Sequence, residues 1–347
     1  MRNGGTTEGH HPSPARRLLR WGLTLGAIGV LAAAGFAFLV WRTFTAPGPA
    51  AVEGAEATIV VIDRGMGVSA IGRRLSEAGV ITNVAVFRAG VMVLGRGSEL
   101  QAGEFSIPSG ASMEEIVTLL ADGQPVSFLV TIPEGKTSRM AVAILNEDTI
   151  LSGEIAEVPA EGTLLPETYH FQRGTTRAEM IARMTADRDA LLAELWANRA
   201  PDLPFDTVEE AVILASIVEK ETGLASERPR IAGLFVNRMR IGMRLQSDPT
   251  IIYGLTGGEP LGRGIRRSEL DRETPYNTYL IDGLPPTPIC NPGRDSLAAV
   301  LNPMQTDELY FVADGTGGHA FARTLEEHNR NVAHWREIER RNAQGGN

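Results

Sequence analysis

At 347 residues the chain is longer than one ordinary domain, and its 43% hydrophobic and 22% charged residues, with 38 glycines and 20 prolines, describe turn-rich globular material with room for two folded units and an anchor. A formal net charge of -9 excludes the basic stripe that nucleic acid requires. The single cysteine, Cys290, rules out an internal disulfide, and no Cys/His cluster has metal-ligand spacing, so no metal is expected.

From Trp21 to Trp41 no charge interrupts the chain, about the 20 residues a helix needs to cross a bilayer. Arg16, Arg17 and Arg20 precede this run, which predicts that residues 1–20 stay cytoplasmic and that everything after Arg42 is exported. The run is long for the apolar core of a cleaved signal, and no small-residue cleavage motif before Ala46 is compelling, so a retained span over 21–41 is expected. Residues 42–57, rich in Ala, Gly and Pro, read as a linker.

The next segment repeats one outline three times. Ile62-Asp63-Arg64-Gly65 leads to Ser69 and Leu75, Ile107-Pro108-Ser109-Gly110 to Ser112 and Leu119, and Ile132-Pro133-Glu134-Gly135 to Thr137 and Ile144. Each is an extended piece, a glycine turn, a Ser/Thr cap and a short amphipathic helix. These units resemble LysM modules, which hold glycan, and the resemblance implies a small glycan-binding region over 58–160.

Beyond Gly162 helices alternate with long loops. Ala178–Leu195 reads as a helix broken by Pro201–Phe205. Thr207-Val208-Glu209-Glu210 is a capping box opening an apolar helix that runs to about Thr222, with Gly223 as its stop. Further helices are expected over Glu227–Ile241 and Pro249–Tyr253. A long loop over Glu273–Pro292, a hairpin near Leu309–Val312 and His319–Phe321, and a polar terminal helix from Leu325 follow.

On a wheel at about 100° per residue, with Leu214 at zero, Glu221 falls near -20°, between Val218 and Ile217 on the apolar face. Glu219 falls near 140° beside Val212, and Lys220 near 240° beside Ser216. A carboxyl on a buried face at the C-terminal end of a helix is disfavoured as an anion, so its pKa should rise, which suits a general acid. The bland alternative is a Glu221 frayed into solvent or paired with Arg228 or Arg230.

The string Ala215–Thr222 is followed by Val236-Asn237-Arg238-Met239, Gly242-Met243-Arg244-Leu245-Gln246-Ser247-Asp248-Pro249-Thr250, Pro275-Tyr276-Asn277-Thr278-Tyr279 and Gly283-Leu284-Pro285-Pro286. Upstream stand Ile132–Gly135 and Glu161–Tyr169, and downstream Tyr310–Ala313 and His319–Phe321. In this order the motifs resemble the membrane-anchored endolytic murein (peptidoglycan lytic) transglycosylase family over nearly everything after the anchor. The resemblance implies an α+β protein: a single span in the inner membrane, a LysM-like domain, and a mainly helical, lysozyme-like catalytic domain over 161–347 with a β element. It maps the catalytic acid/base onto Glu221, acting on the bond between N-acetylmuramic acid and N-acetylglucosamine to leave 1,6-anhydro ends and terminate nascent strands. Glu219, Asn237, Gln246, Asp248, Tyr276, Asn277 and Tyr279 are the implied substrate-binding set, whose aromatic and amide groups suit sugar faces and acetamido groups. Asn277 could equally cap a turn and Asp248 start a helix; Glu167 is a second candidate cleft acid, and His319 sits in the hairpin. Glycan strands, cell-wall synthases and the membrane are the implied partners, and no cofactor is implied. Thr287 and Cys290 depart from the family pattern without touching this chemistry. The rival readings are a hydrolytic muramidase and a non-catalytic glycan-binding scaffold.

Overall fold

The computed structural model describes residues 14–52 and 55–345; much of the expected cytoplasmic segment 1–20 lies outside them. The chain divides into two compact units, Met1–Ser127 and Phe128–Asn347.

The first unit opens with helix α1 (Pro14–Thr45), whose Leu23–Thr45 stretch is long and apolar enough to cross a membrane. It continues with β1 (Ala57–Ile62), α2 (Val68–Glu77), α3 (Val84–Leu94), β2 (Gly103–Pro108) and α4 (Met113–Asp122). β1 and β2 pair antiparallel from Ala57 opposite Pro108 to Ile62 opposite Gly103, and alternation along them turns Val60, Ile62, Phe105 and Ile107 into a core with Leu75, Phe87, Ile116 and Leu120. Two expectations change here. The helix extends past Trp41, and the presumed linker is bound to the unit: Phe44 is fully buried, Gly48 N–H donates to Gly110 O at 3.0 Å, and Ala51 N–H donates to Ser109 Oγ at 3.0 Å. Ser69 lies inside α2, which starts after Gly67 without a side-chain cap, whereas Ser112 and Thr137 do cap their helices. All three echo glycines, Gly65, Gly110 and Gly135, take positive φ, the conformation glycine adopts without a Cβ clash.

In the second unit β3 (Ser127–Thr131) pairs with β4 (Thr168–Gln172), and α5 (Ser138–Glu147) and α6 (Arg177–Ala197) cover them through Val130, Ile132, Leu145, Tyr169, Phe171, Met180 and Met184. The third echo therefore packs in this unit and not with the first two, because its strand finds its partner at 168–172. A second core is built on α7 (Val208–Glu221), α8 (Arg228–Arg240) and α11 (Arg294–Leu301), the last absent from the sequence reading. Between α8 and α11 come α9 (Asp248–Thr256) and the short α10 (Arg267–Leu270), and the chain ends in the hairpin β5 (Tyr310–Ala313) and β6 (His319–Ala322) and α12 (Leu325–Gly345). The first turn of α7 is the expected capping box: Glu210 N–H donates to Thr207 Oγ1, and Glu210 takes the Thr207 N–H in return. The molecule is thus a mixed helix-and-strand protein.

Candidate active site at the end of α7

Residues Ala211–Val218 are buried, so α7 is apolar nearly all round and must be enclosed by its neighbours. At its C-terminal end the Glu219-Lys220-Glu221 triplet splits three ways. Glu219 turns inward, where Oε2 accepts from Gly293 N–H at 2.9 Å and Oε1 from Arg228 at 3.4 Å. Lys220 Nζ donates to Gly135 O at 3.3 Å. Glu221, half-buried, accepts from Ser247 Oγ at 2.5 Å. Burial pushes the Glu221 carboxyl up to about 7; Asp248 adds to this, while Ser247 and the Arg238 guanidinium oppose it. A carboxyl with this value is substantially protonated near neutrality and able to give a proton and take one back.

Ser247 is held by a knot of buried hydroxyls. Its N–H donates to Thr278 Oγ1 at 2.9 Å, its carbonyl accepts from Thr250 Oγ1 at 2.6 Å, and Gln246 N–H donates to Thr278 O at 3.1 Å. Gln246 has φ 50°, an uncommon value for a side chain larger than glycine, and it turns the loop so that Ser247 points inward while Gln246 and Asp248 stay exposed. Beneath it Arg238, buried in α8, donates to Leu245 O and, at 2.7 Å, to Leu309 O. Neither Ser247 nor Arg238 is among the site residues expected from the sequence. Alternation through Gln246-Ser247-Asp248 was the available signal for the serine, and for Arg238 its i+3/i+4 spacing from Leu234 and Phe235 on an apolar face.

The seven residues expected to bind substrate divide in two. Asn237 donates to Thr306 O at 2.6 Å, bracing the approach to β5. Asn277, buried, donates to Leu270 O and Arg272 O and accepts from Tyr279 N–H, so it holds its own loop. With Glu219, these have polar groups committed inside the protein. Gln246 and Asp248 are exposed; Tyr279 donates to Asp248 Oδ1 at 2.7 Å, and burial and the neighbouring carboxylates push its phenol well up. Tyr276 stands edge-on to Tyr253, ring centres 4.8 Å apart, its hydroxyl 2.8 Å from Thr287 Oγ1. Glu167 is exposed at the foot of β4, and His319 Nδ1 lies 2.7 Å from Glu227. Cys290 is buried beside Ser216 O. Among the described residues no group of three or more His, Cys, Asp or Glu could hold a metal.

The base of the site is an ion cluster. Arg228, 9% exposed, meets Glu134 at 3.0 Å, Glu219 at 3.4 Å and Asp295 at 3.2 Å, joining the Ile132–Gly135 turn, α7, α8 and α11. Burial, with Glu219 next to it, raises the Glu134 carboxyl above its usual range. Asn291 ties the loop before α11 to the same turn, donating to Lys136 O at 3.1 Å and accepting from Leu164 N–H at 3.1 Å.

Residues 60–334 match the YceG-like family. The chain is 30% identical over 334 residues to an endolytic murein transglycosylase of Bacillus subtilis, covering 85% of this chain and 89% of that protein. It is 31% identical over 323 residues to an endolytic murein transglycosylase of Streptococcus pneumoniae, covering 79% of this chain but 57% of that longer protein. A crystal structure of a yceG-like protein from Listeria monocytogenes is 30% identical and aligns with 79% of this chain and 99% of its own, with a TM-score of 0.49.

Proposed function

This chain belongs to the YceG-like family, and from that membership and the setting of Glu221 we propose that it is a peptidoglycan lytic transglycosylase that cuts glycan strands internally. The observation that carries the reading is one carboxyl on an apolar helix end, raised to about 7 and aimed at a loop of hydroxyls and exposed polar groups. Protonated Glu221 donates to the bridging oxygen between N-acetylmuramic acid and N-acetylglucosamine. As the bond from the muramic anomeric carbon to that oxygen breaks, the glucosamine departs with the proton as its 4-hydroxyl. The muramic 6-hydroxyl then attacks the anomeric carbon and gives its proton to the Glu221 carboxylate, which restores the acid and leaves a 1,6-anhydro end. The nucleophile is the sugar's own, so a second catalytic carboxylate is unnecessary. Gln246, Asp248, Tyr276 and Tyr279 are the side chains proposed to meet the glycan, while Glu219, Asn237 and Asn277 shape the site behind them.

The strand–helix–helix–strand order of the first unit supports a LysM-like glycan-holding role, and the apolar helix with its preceding arginines supports an inner-membrane anchor with the N-terminus inside. An internal cut close to the membrane suits termination of nascent strands beside their synthases. A reporter fused after Asn347 is expected to be active only in the exported compartment; activity in the cytoplasm would reverse this topology.

A hydrolytic muramidase is the second reading, favoured by Asp248 close enough to Glu221 to raise its pKa and so a candidate base for water. Mass spectrometry of products from purified glycan strands separates the two. Anhydro-ended products lost on Glu221→Gln are expected; reducing ends would favour the muramidase, and no cleavage a non-catalytic scaffold.

A further inference from the structure

We infer that the C-terminal turn of α3 is a second membrane contact, dipping Met92 and Val93 into the headgroup region of the bilayer that α1 crosses. Met92 is 77% and Val93 74% exposed, adjacent large apolar side chains at the end of a helix whose other face, Phe87, Gly90 and Val91, is buried. The unit's own packing sets them beside the bilayer. The Phe44 ring fills a notch at Gly90 where an added Cβ would stand 2.1 Å from it, and Phe44 is three residues beyond Trp41, where the uncharged run ends. The last turn of α3 therefore begins about 3 Å of helix rise beyond the anchor contact.

Direction follows from the other end of α3. Thr82, just before it, lines a small cleft with Thr43, Ala46, Pro47 and Gly48, and an added Cβ at Gly48 would stand 3.3 Å from Val80 O; Ala46, Pro47 and Gly48 lie beyond Phe44 from the apolar span, while Gly90 meets Phe44 itself. So α3 runs back along α1 towards the membrane and presents its C-terminal end there. Arg88, exposed one turn before Met92, and Arg42, in the last turn of α1, place cations at the level of anionic headgroups beneath an apolar tip, the arrangement of an interfacial helix. With two contacts the unit is held at one tilt instead of swivelling on a single helix.

The inference rests on α1 being a membrane span, and the test separates the two. The full chain, with Cys290 buried and unreactive, is labelled with an environment-sensitive fluorophore at Met92→Cys, Glu77→Cys or Ile28→Cys and reconstituted into vesicles of phosphatidylethanolamine and phosphatidylglycerol. Glu77 is an exposed control: Val68, the first residue of α2, packs against Gly97 just past α3, and Glu77 lies about 14 Å further along α2. The label at 92 is expected to be blue-shifted, quenched by lipids carrying a shallow nitroxide and severalfold less accessible to iodide than the label at 77, with the label at 28 quenched by deep nitroxides. Equal iodide access at 92 and 77, with 28 deep in lipid, overturns the second contact alone. Protection at 92 without nitroxide quenching overturns it in favour of a protein partner. An aqueous label at 28 overturns the anchor, and this inference with it.

Discussion

In the proposed mechanism Glu221 meets two opposing demands, uncharged to donate and charged to accept, and a value near 7 serves both. Its pKa lies above the ordinary 4.5, so between those values the folded protein binds more protons than the unfolded chain, and this group's contribution to stability falls as pH rises through that window. Glu221→Gln should therefore cut turnover by at least about 10²–10⁴-fold. It should also stabilise the fold above pH 7, by up to about 3 kcal/mol, with little change at pH 4, seen as a higher melting temperature only at the higher pH. Ser247 stabilises the anion, so Ser247→Ala should move the alkaline limb of the rate profile to higher pH. It should also lower turnover about 10- to 100-fold, the worth of a hydrogen bond to a charged group. An unmoved limb in a pH-rate profile would show that Ser247 does not set the proton affinity.

At the level of elements, the end of α7 is located by what it buries on the side away from Glu221. Arg228 is one cation among three carboxylates contributed by three other segments, so removing it leaves uncompensated negative charge in the interior. Arg228→Met should cost about 3–5 kcal/mol in denaturant unfolding. Asp295→Asn, at a partner that is 63% exposed, should cost no more than about 1 kcal/mol. A difference of that size marks the cluster as the clamp on the helix end; equal effects would reduce it to surface pairing. The neighbouring Lys220 to Gly135 bond is solvent-facing and adds little to either outcome.

For the whole molecule, the cores of the two units share no residue, and the second contains α7, the Ser247 loop and the ion cluster entire. A fragment beginning at Phe128 is expected to fold and to cleave short soluble glycan fragments while losing retention on insoluble sacculi, measured by circular dichroism, product release and pull-down. Retention equal to that of the full chain would leave the first unit a spacer. What the sequence determined by itself were features with a local cause: the apolar run of α1, the Thr207 capping box, the hairpin, and Glu221 on the apolar side of α7, each written in spacing along a few turns of chain. Tertiary structure alone decided the rest. The third echo joined the second unit because its strand partner lies near residue 170, α3 and α11 emerged as core-facing helices, and the polar groups of Glu219, Asn237 and Asn277 found hydrogen-bond partners inside the protein. Ser247 reached Glu221 across 26 residues of chain. Helical periodicity reports which way a side chain faces on its own element, whereas a polar group's partner is set by whichever distant segment closes over it, and that closure is a property of the packed chain.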